Sequence, residues 1–427
     1  MLGKQRNAAD AAPGEGSAAA RLRDIIRRYY AMWLGYSFAS GFLFGVYPLF
    51  LRARGLNQFQ INSVLAVYFV VMFLTDVPTG AFADAMGRRR SMMLGCGIRT
   101  GASIVYFFAH HYLGFVLAET IDGVGTTLCN GAIDAWGVDA LDEAGFAGVK
   151  DRLFSRIVQL TNVGFMSSAV IGAYVANVNI AWPWLLSAAG FLFVGMAAPY
   201  LMREDRGPAI RVDLGALPAI VVARVARGLV QGFRSRTVLL LSTANALIYA
   251  AWAPYWIEWP QLFNDTFGVG IWIIGWLYCL FTIARLVGAE AVARMGIGST
   301  QRGSRLASII VVASVLLAAG GMLAHHPNAA LPCLFVMNFG AGAIQPLTQS
   351  WFNEQIEAEG RATLLSFSST FATMGGSLGL LVAGGVADAV GIPVAWELGA
   401  LVLLAAAPCY WSIRSVSGPA TIARAAV

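Results

Sequence analysis

Lysine is almost missing from this chain of 427 residues, which carries it only at Lys4 and Lys150. Neither is preceded by the glycine pattern of a phosphate-cradling P-loop, so the sequence offers no ATP motor of that kind. Charge of both signs is scarce, at 12% of residues, about half the share of an average soluble domain. The formal surplus of +6 is carried by arginines in short segments between apolar runs. They form no continuous basic face, which excludes a nucleic-acid partner. Cys96, Cys129, Cys279, Cys333 and Cys409 each fall inside an apolar run, and no C-x-x-C occurs. Neither a disulfide framework nor a metal site is indicated, and the cysteines read as small core residues. Histidine is confined to His110, His111, His325 and His326, outside the apolar runs. No run presents a nucleophile–histidine pair, so an enzyme is the least favoured class and no cofactor is implied.

What is abundant is apolar: hydrophobic residues make up 58% of the chain. Crossing a bilayer as a helix takes about twenty apolar residues. About twelve such runs occur, over roughly 30–51, 58–79, 91–109, 112–136, 153–178, 181–202, 237–260, 269–291, 304–324, 329–350, 362–387 and 392–413. The expected fold is an all-α polytopic membrane protein with 12 transmembrane helices. Basic residues gather in the N-terminal tail, in 80–90, 150–156, 203–236 and 294–305, and at the C-terminus. Those are alternate loops, so both termini are expected in the cytoplasm, with Arg52 and Arg54 as exceptions. Residues 1–20 have no apolar centre and read as a disordered tail, not a cleaved signal peptide. Arg21 to Arg28 reads as a basic amphipathic lead-in lying on the inner surface. The expected organisation is tail and lead-in (1–29), a first bundle (30–202), a cytoplasmic linker (203–236), a second bundle (237–413) and a tail (414–427).

Between the second and third runs lies Gly80-Ala81-Phe82-Ala83-Asp84-Ala85-Met86-Gly87-Arg88-Arg89-Arg90. Gly80 and Gly87 are expected to let backbones approach and turn. Asp84 suits a helix N-terminus, and Arg88, Arg89 and Arg90 hold the hinge on the cytoplasmic side. This G-x-x-x-D-x-x-G-R-R pattern resembles the hallmark loop of the major facilitator superfamily. The resemblance implies two six-helix bundles of inverted repeats around a central site, a secondary transporter working by alternating access, and a bacterial inner membrane. Gly384-x-x-x-Asp388-x-x-Gly391 repeats the glycine–aspartate spacing in the second half, on the opposite side. The segment 353–363, with Glu354 and Arg361, resembles the cytoplasmic tenth-to-eleventh junction of the family's exporters. Its carboxylates are expected to pair with hinge arginines when the inner gate is shut.

Ionisable groups inside a bilayer are costly and point to function. Glu119, Asp122, Thr126, Asn130 and Asp134 recur at three- and four-residue steps and form one stripe on one helix. Two readings stand: the wall of an aqueous cavity whose carboxylates carry a coupling proton, or salt bridges between helices. Asp122 and Glu119 are the coupling candidates, and Asp134 suits a gating ion pair near the cytoplasmic end. Many drug–proton antiporters of the family carry an arginine in this span and a Gly-Pro-rich stretch in the fifth, and this chain has neither. Arg99 and Arg285 need anionic partners if buried, and Arg285 suits an anionic substrate group or a cavity carboxylate.

The seventh run carries Tyr249, Trp252, Tyr255, Trp256 and Trp259, which read either as an interfacial belt or as a pocket wall for a bulky aromatic substrate. Trp252 fits the pocket better and Trp259 the belt. Tyr36, Asn338 and Gln345 complete the cavity candidates, with helix packing the alternative. The expected function is proton-coupled export of a small amphiphilic or aromatic compound by a protein working as a monomer. An uptake permease of the same fold and a transport-inactive receptor or scaffold are the alternatives. The expected partners are the substrate, protons and the lipid bilayer.

Overall fold

The computed structural model of the protein describes residues 15–146, 148, 150–203, 232–296, 298–354 and 361–413. Fourteen helices and no strand lie within these residues. The first half holds α1 (Glu15–Gly41), α2 (Tyr47–Ala53), α3 (Gln58–Met86), α4 (Arg88–Phe108), α5 (Tyr112–Glu143), α6 (Lys150–Val178) and α7 (Trp182–Leu201). The second holds α8 (Arg236–Phe267), α9 (Trp272–Met295), α10 (Ser299–Met322), α11 (Pro327–Glu354), α12 (Arg361–Val390), α13 (Ile392–Leu404) and α14 (Ala407–Trp411). Most of the expected linker 203–236, the tail 414–427 and residues 1–14 lie outside the described residues. The expected surface lead-in is the start of α1 itself, which runs unbroken into the first apolar run. There Arg28 pairs with Asp24 and donates to the Tyr200 carbonyl.

Nine of the described spans are long and apolar enough to cross a membrane: α3, α6 to α12, and α13 continued by α14. The three long helices that fall short each carry charge: α1 begins among arginines, α4 holds Arg99, and α5 holds Glu119, Asp122 and Asp134. Local chemistry sets the ends. Asn57 and Gln60 form a reciprocal capping box that opens α3, and Ser235 caps α8. Gly268 and Gly296 end α8 and α9 in the left-handed conformation.

Helix pairing repeats between the halves. In the first, α1 packs on α6 and α7, α3 on α5, and α4 on α5 and α7. In the second, α8 packs on α12 and α13, α9 on α11, and α10 on α11 and α13. The two halves meet through α3 against α12 and α6 against α9, again a matched pair. The glycines of the two related motifs agree in conformation. Gly87, between α3 and α4, has φ 95° and ψ 145°, and Gly391, between α12 and α13, has φ 100° and ψ 157°. A side chain at either would be strained, which is why glycine stands at each reversal.

Candidate functional site

The described hydrogen bonds and ion pairs between the halves gather at the end opposite the α3–α4 hinge. Asp388, near the end of α12, accepts the Gln58 and Phe59 backbone N–H groups at 2.7 and 3.0 Å, and so caps α3 from the other half. The expected helix-capping aspartate was Asp84, but its carboxylate instead pairs with Arg88. A Cβ on Gly384 would stand 2.9 Å from the Phe59 Cα, so this glycine permits the contact of α12 with α3. Gly80 was expected to serve such an approach, yet a Cβ there would meet nothing within 4 Å. Arg52 pairs with Asp265 at 2.6 Å, and the Asn177 side chain accepts the Ile271 N–H at 3.0 Å.

Deeper at the same end lies a carboxylate that the sequence reading passed over. Glu258 of α8 is fully buried and accepts from Asn62 of α3 at 2.8 Å and from the Trp396 indole at 3.0 Å. Asn62 also donates to the Leu380 carbonyl at 3.1 Å, so one amide ties α3 to α8 and α12. The signal was available: Glu258 sits between Ile257 and Trp259 inside an apolar run, where a charge is costly.

The polar stripe of α5 divides. Asp122 takes a bidentate ion pair from Arg99 of α4, at 2.9 and 3.1 Å. Arg99 also donates to the Tyr36 hydroxyl at 2.8 Å and to Ser40, and its guanidinium lies 4.1 Å from the Phe191 ring centroid. Four of the five N–H donors of this buried cation are thus matched, and Tyr36 is committed to the network inside the first half. Glu119 is also buried, and among the described residues it accepts from the Tyr106 hydroxyl and meets no cation; Tyr47 lies next in line, its hydroxyl 3.4 Å from that of Tyr106. Asn130 is half-buried on the same helix. Asp134 is exposed and accepts from Tyr29 at 3.2 Å, and among the described residues it forms no ion pair, unlike the gating pair expected of it. Further along α5, Asp139 meets the hinge, 3.5 Å from Arg88. Arg90 is exposed. The side chains of Glu354 and Arg361 lie outside the described residues, and with them the expected gate pairing.

The second half presents an aromatic wall. Tyr255 packs edge-on to Trp252 and Trp256, with centroids 6.1 and 5.7 Å away, and its hydroxyl accepts from buried Asn338 at 2.9 Å. The Arg285 guanidinium of α9 sits 5.0 Å from the Trp256 ring centroid. One α9 face carries Tyr278 and Arg285, two turns apart, and Tyr278 stacks on Phe44 of the first half at 5.2 Å. That face therefore looks across the division between the halves. Tyr249 and Gln345 are exposed. Trp259, expected in an interfacial belt, is instead a core residue, 1% exposed and packed edge-on to Phe281. Its helix turns that side inward, toward α9.

Residues 32–321 match the family described as Major Facilitator Superfamily. The chain is 23% identical over 313 residues to "Multidrug resistance protein MdtH" of Aeromonas hydrophila subsp. hydrophila, across 72% of this chain and 74% of that protein. It is 23% identical over 370 residues to "Multidrug efflux pump Tap" of Mycolicibacterium fortuitum, across 83% and 87%. Its fold is similar to that of a mutant of the nucleoside transporter NupG, with a TM-score of 0.75 at 12% identity over 91% of this chain and 99% of the other.

Proposed function

The chain belongs to the Major Facilitator Superfamily and is a multi-pass membrane transporter, not an enzyme; from that premise we propose that it exports a small amphiphilic or aromatic compound in exchange for protons. In this reading α1, α4 and α5 also cross the membrane, which makes twelve spans in two six-helix bundles of inverted repeats. The bundles are residues 30–202 and 237–413, joined by a cytoplasmic linker, and the protein works as a monomer in the inner membrane with both termini inside. Substrate, protons and the bilayer are its partners, and nucleic acid is not.

The asymmetry of closure carries the proposal. Contacts between the halves gather at the end away from the hinge, and the hinge carries Arg88, Arg89 and Arg90. With the hinge in the cytoplasm, this is a state closed outward and open inward. The related motifs account for the alternation. Gly384 and Asp388 are engaged across the halves while Gly80 is open and Asp84 is held locally. In the opposite state Gly80 and Asp84 take the corresponding contacts with α12, and the outer ones release. Each state is then stabilised by a cap the other lacks.

Coupling needs a group whose protonation biases that equilibrium. Glu119 suits it: it is an ionisable group buried within a span, and its hydrogen bond comes from the Tyr106 hydroxyl and not from a cation. Asp122, neutralised by Arg99, is the fixed reference beside it. Export is favoured over uptake by the names of the two relatives, one a multidrug efflux pump and the other a multidrug resistance protein.

The test is accumulation of labelled amphiphiles in an efflux-deficient bacterium expressing wild type, Glu119→Gln or empty vector, with and without an uncoupler. Export predicts lower accumulation in energised wild-type cells alone. Higher accumulation with wild type would replace export by uptake, and no difference across a broad panel would count against transport of this compound class.

A further inference from the structure

Charge in the central region is unevenly matched. Asp122 is taken by Arg99, Glu119 by the Tyr106 hydroxyl, and Glu258 by Asn62 and Trp396. Arg285 has no such counterpart. Among the described residues no carboxylate reaches it, and its neighbours are the Trp256 face and the tyrosines Tyr278, Tyr255 and Tyr249. An isolated guanidinium among apolar spans is expensive to maintain for packing alone. Here it lies half-buried on the α9 face that looks toward the first half, where a ligand between the bundles would lie.

Among the described residues, two further polar atoms beside this wall lack partners. The Trp252 indole N–H, one helical turn from Trp256, is buried and donates to nothing. The Asn338 side chain, 0% exposed, gives its amide N–H to Tyr255 and the Leu334 carbonyl but leaves its Oδ1 unpaired. Buried polar groups in folded proteins are nearly always satisfied, so an unmatched N–H donor and an unmatched amide acceptor beside a lone cation and flat rings describe a polar ligand's counterpart.

We propose that Arg285, Trp252 and Trp256 form a subsite for an aromatic organic anion. The substrate's carboxylate or sulfonate faces the Arg285 guanidinium, and its ring lies against the tryptophan wall. Arginine matches such groups through paired N–H donors, and its weaker hydration favours it over lysine where the ligand is desolvated. The Trp252 N–H adds a donor on the same side. A cationic amphiphile would place like charges together where no carboxylate is free to compensate. The inference rests on the transporter reading above and narrows its substrate to one sign of charge.

The experiment measures equilibrium binding to purified, non-energised protein in lipid nanodiscs, by quenching of tryptophan fluorescence. The probes are naphthoate, naphthamide and naphthylmethylamine, which share a ring system and differ in charge. Wild type is expected to bind naphthoate about tenfold or more tighter than naphthamide, and the amine weakest. Arg285→Gln removes the preference, so that naphthoate and naphthamide bind the variant with similar affinity, and Arg285→Lys retains part of it. Trp256→Leu weakens all three probes and keeps their order. Equal affinities or a preference for the amine in wild type would overturn the proposal, as would a naphthoate preference that survives Arg285→Gln. Should Arg285→Gln prove unstable, the wild-type order and the retained order in Arg285→Lys decide. Binding without an ion gradient is independent of direction and coupling, so failed export would leave this result standing, and failed anion binding would leave export standing.

Discussion

The Asn62 side chain of α3 donates to the Glu258 carboxylate of α8 at 2.8 Å, in a place neither half exposes to solvent. Asn62→Asp would set a second carboxylate against the first, and two buried anions repel where no water screens them. The outward-closed state should lose population. In a background with the five native cysteines replaced, a cysteine at Leu380 should then react faster with a membrane-impermeant maleimide. Adding Glu258→Gln should bring the rate back. Labelling unchanged by Asn62→Asp would mean that this bond does not hold the halves together.

Asp388 gives a graded version of the same experiment. A carboxylate capping a helix contributes about 0.5–2 kcal/mol through its hydrogen bonds and the helix dipole. Asp388→Asn keeps one acceptor oxygen and loses the charge, so outward closure should weaken on the order of two- to thirtyfold in population. Asp84→Asn should leave this state unaltered, because Asp84 contacts only its own hinge. Spin-label distances between the outer ends of α3 and α12 read both. Equal effects of the two substitutions would break the proposed alternation of caps.

How much of this was legible beforehand follows from the range of each signal. Apolar runs and loop charge are local, and they located the helices and the hinge well. The Gly384–Asp388–Gly391 echo was visible as spacing, yet only three dimensions show Asp388 on α3, more than three hundred residues away in sequence. The α5 stripe was correctly placed on one face, but periodicity is blind to partners: whether Asp122 or Glu119 meets Arg99 depends on how α4 packs on α5. Trp259 was misplaced for a related reason. Aromatic residues at helical spacing look alike whether they turn toward lipid or core. Glu258 was overlooked because its donors, Asn62 and Trp396, come from the beginning and the end of the chain.

The Arg99–Asp122 pair is expected to be structural. Removing one member strands a buried charge, at a cost of about 3–5 kcal/mol, whereas removing both is close to neutral. Arg99→Leu and Asp122→Leu should each lower the thermal midpoint of the purified protein sharply, and the double variant should recover most of the loss. If Asp122→Leu alone retained stability while losing coupling, Asp122 would take over the role assigned to Glu119.

Glu119→Gln separates the remaining roles. Glutamine preserves the shape and still accepts from Tyr106, so folding and substrate binding should persist, with stability changed by about 1 kcal/mol or less. What it cannot do is gain and lose a proton. In proteoliposomes the variant should therefore exchange labelled for unlabelled substrate at a rate within a few-fold of wild type, since exchange needs only the substrate-loaded transition. Proton-driven accumulation should fall at least about tenfold, because the proton no longer distinguishes the two facings. Exchange and accumulation lost together would point to a structural defect. Accumulation retained at the wild-type level would exclude Glu119 as the coupling carboxylate and turn attention to Glu258, the other buried carboxylate that meets only neutral donors.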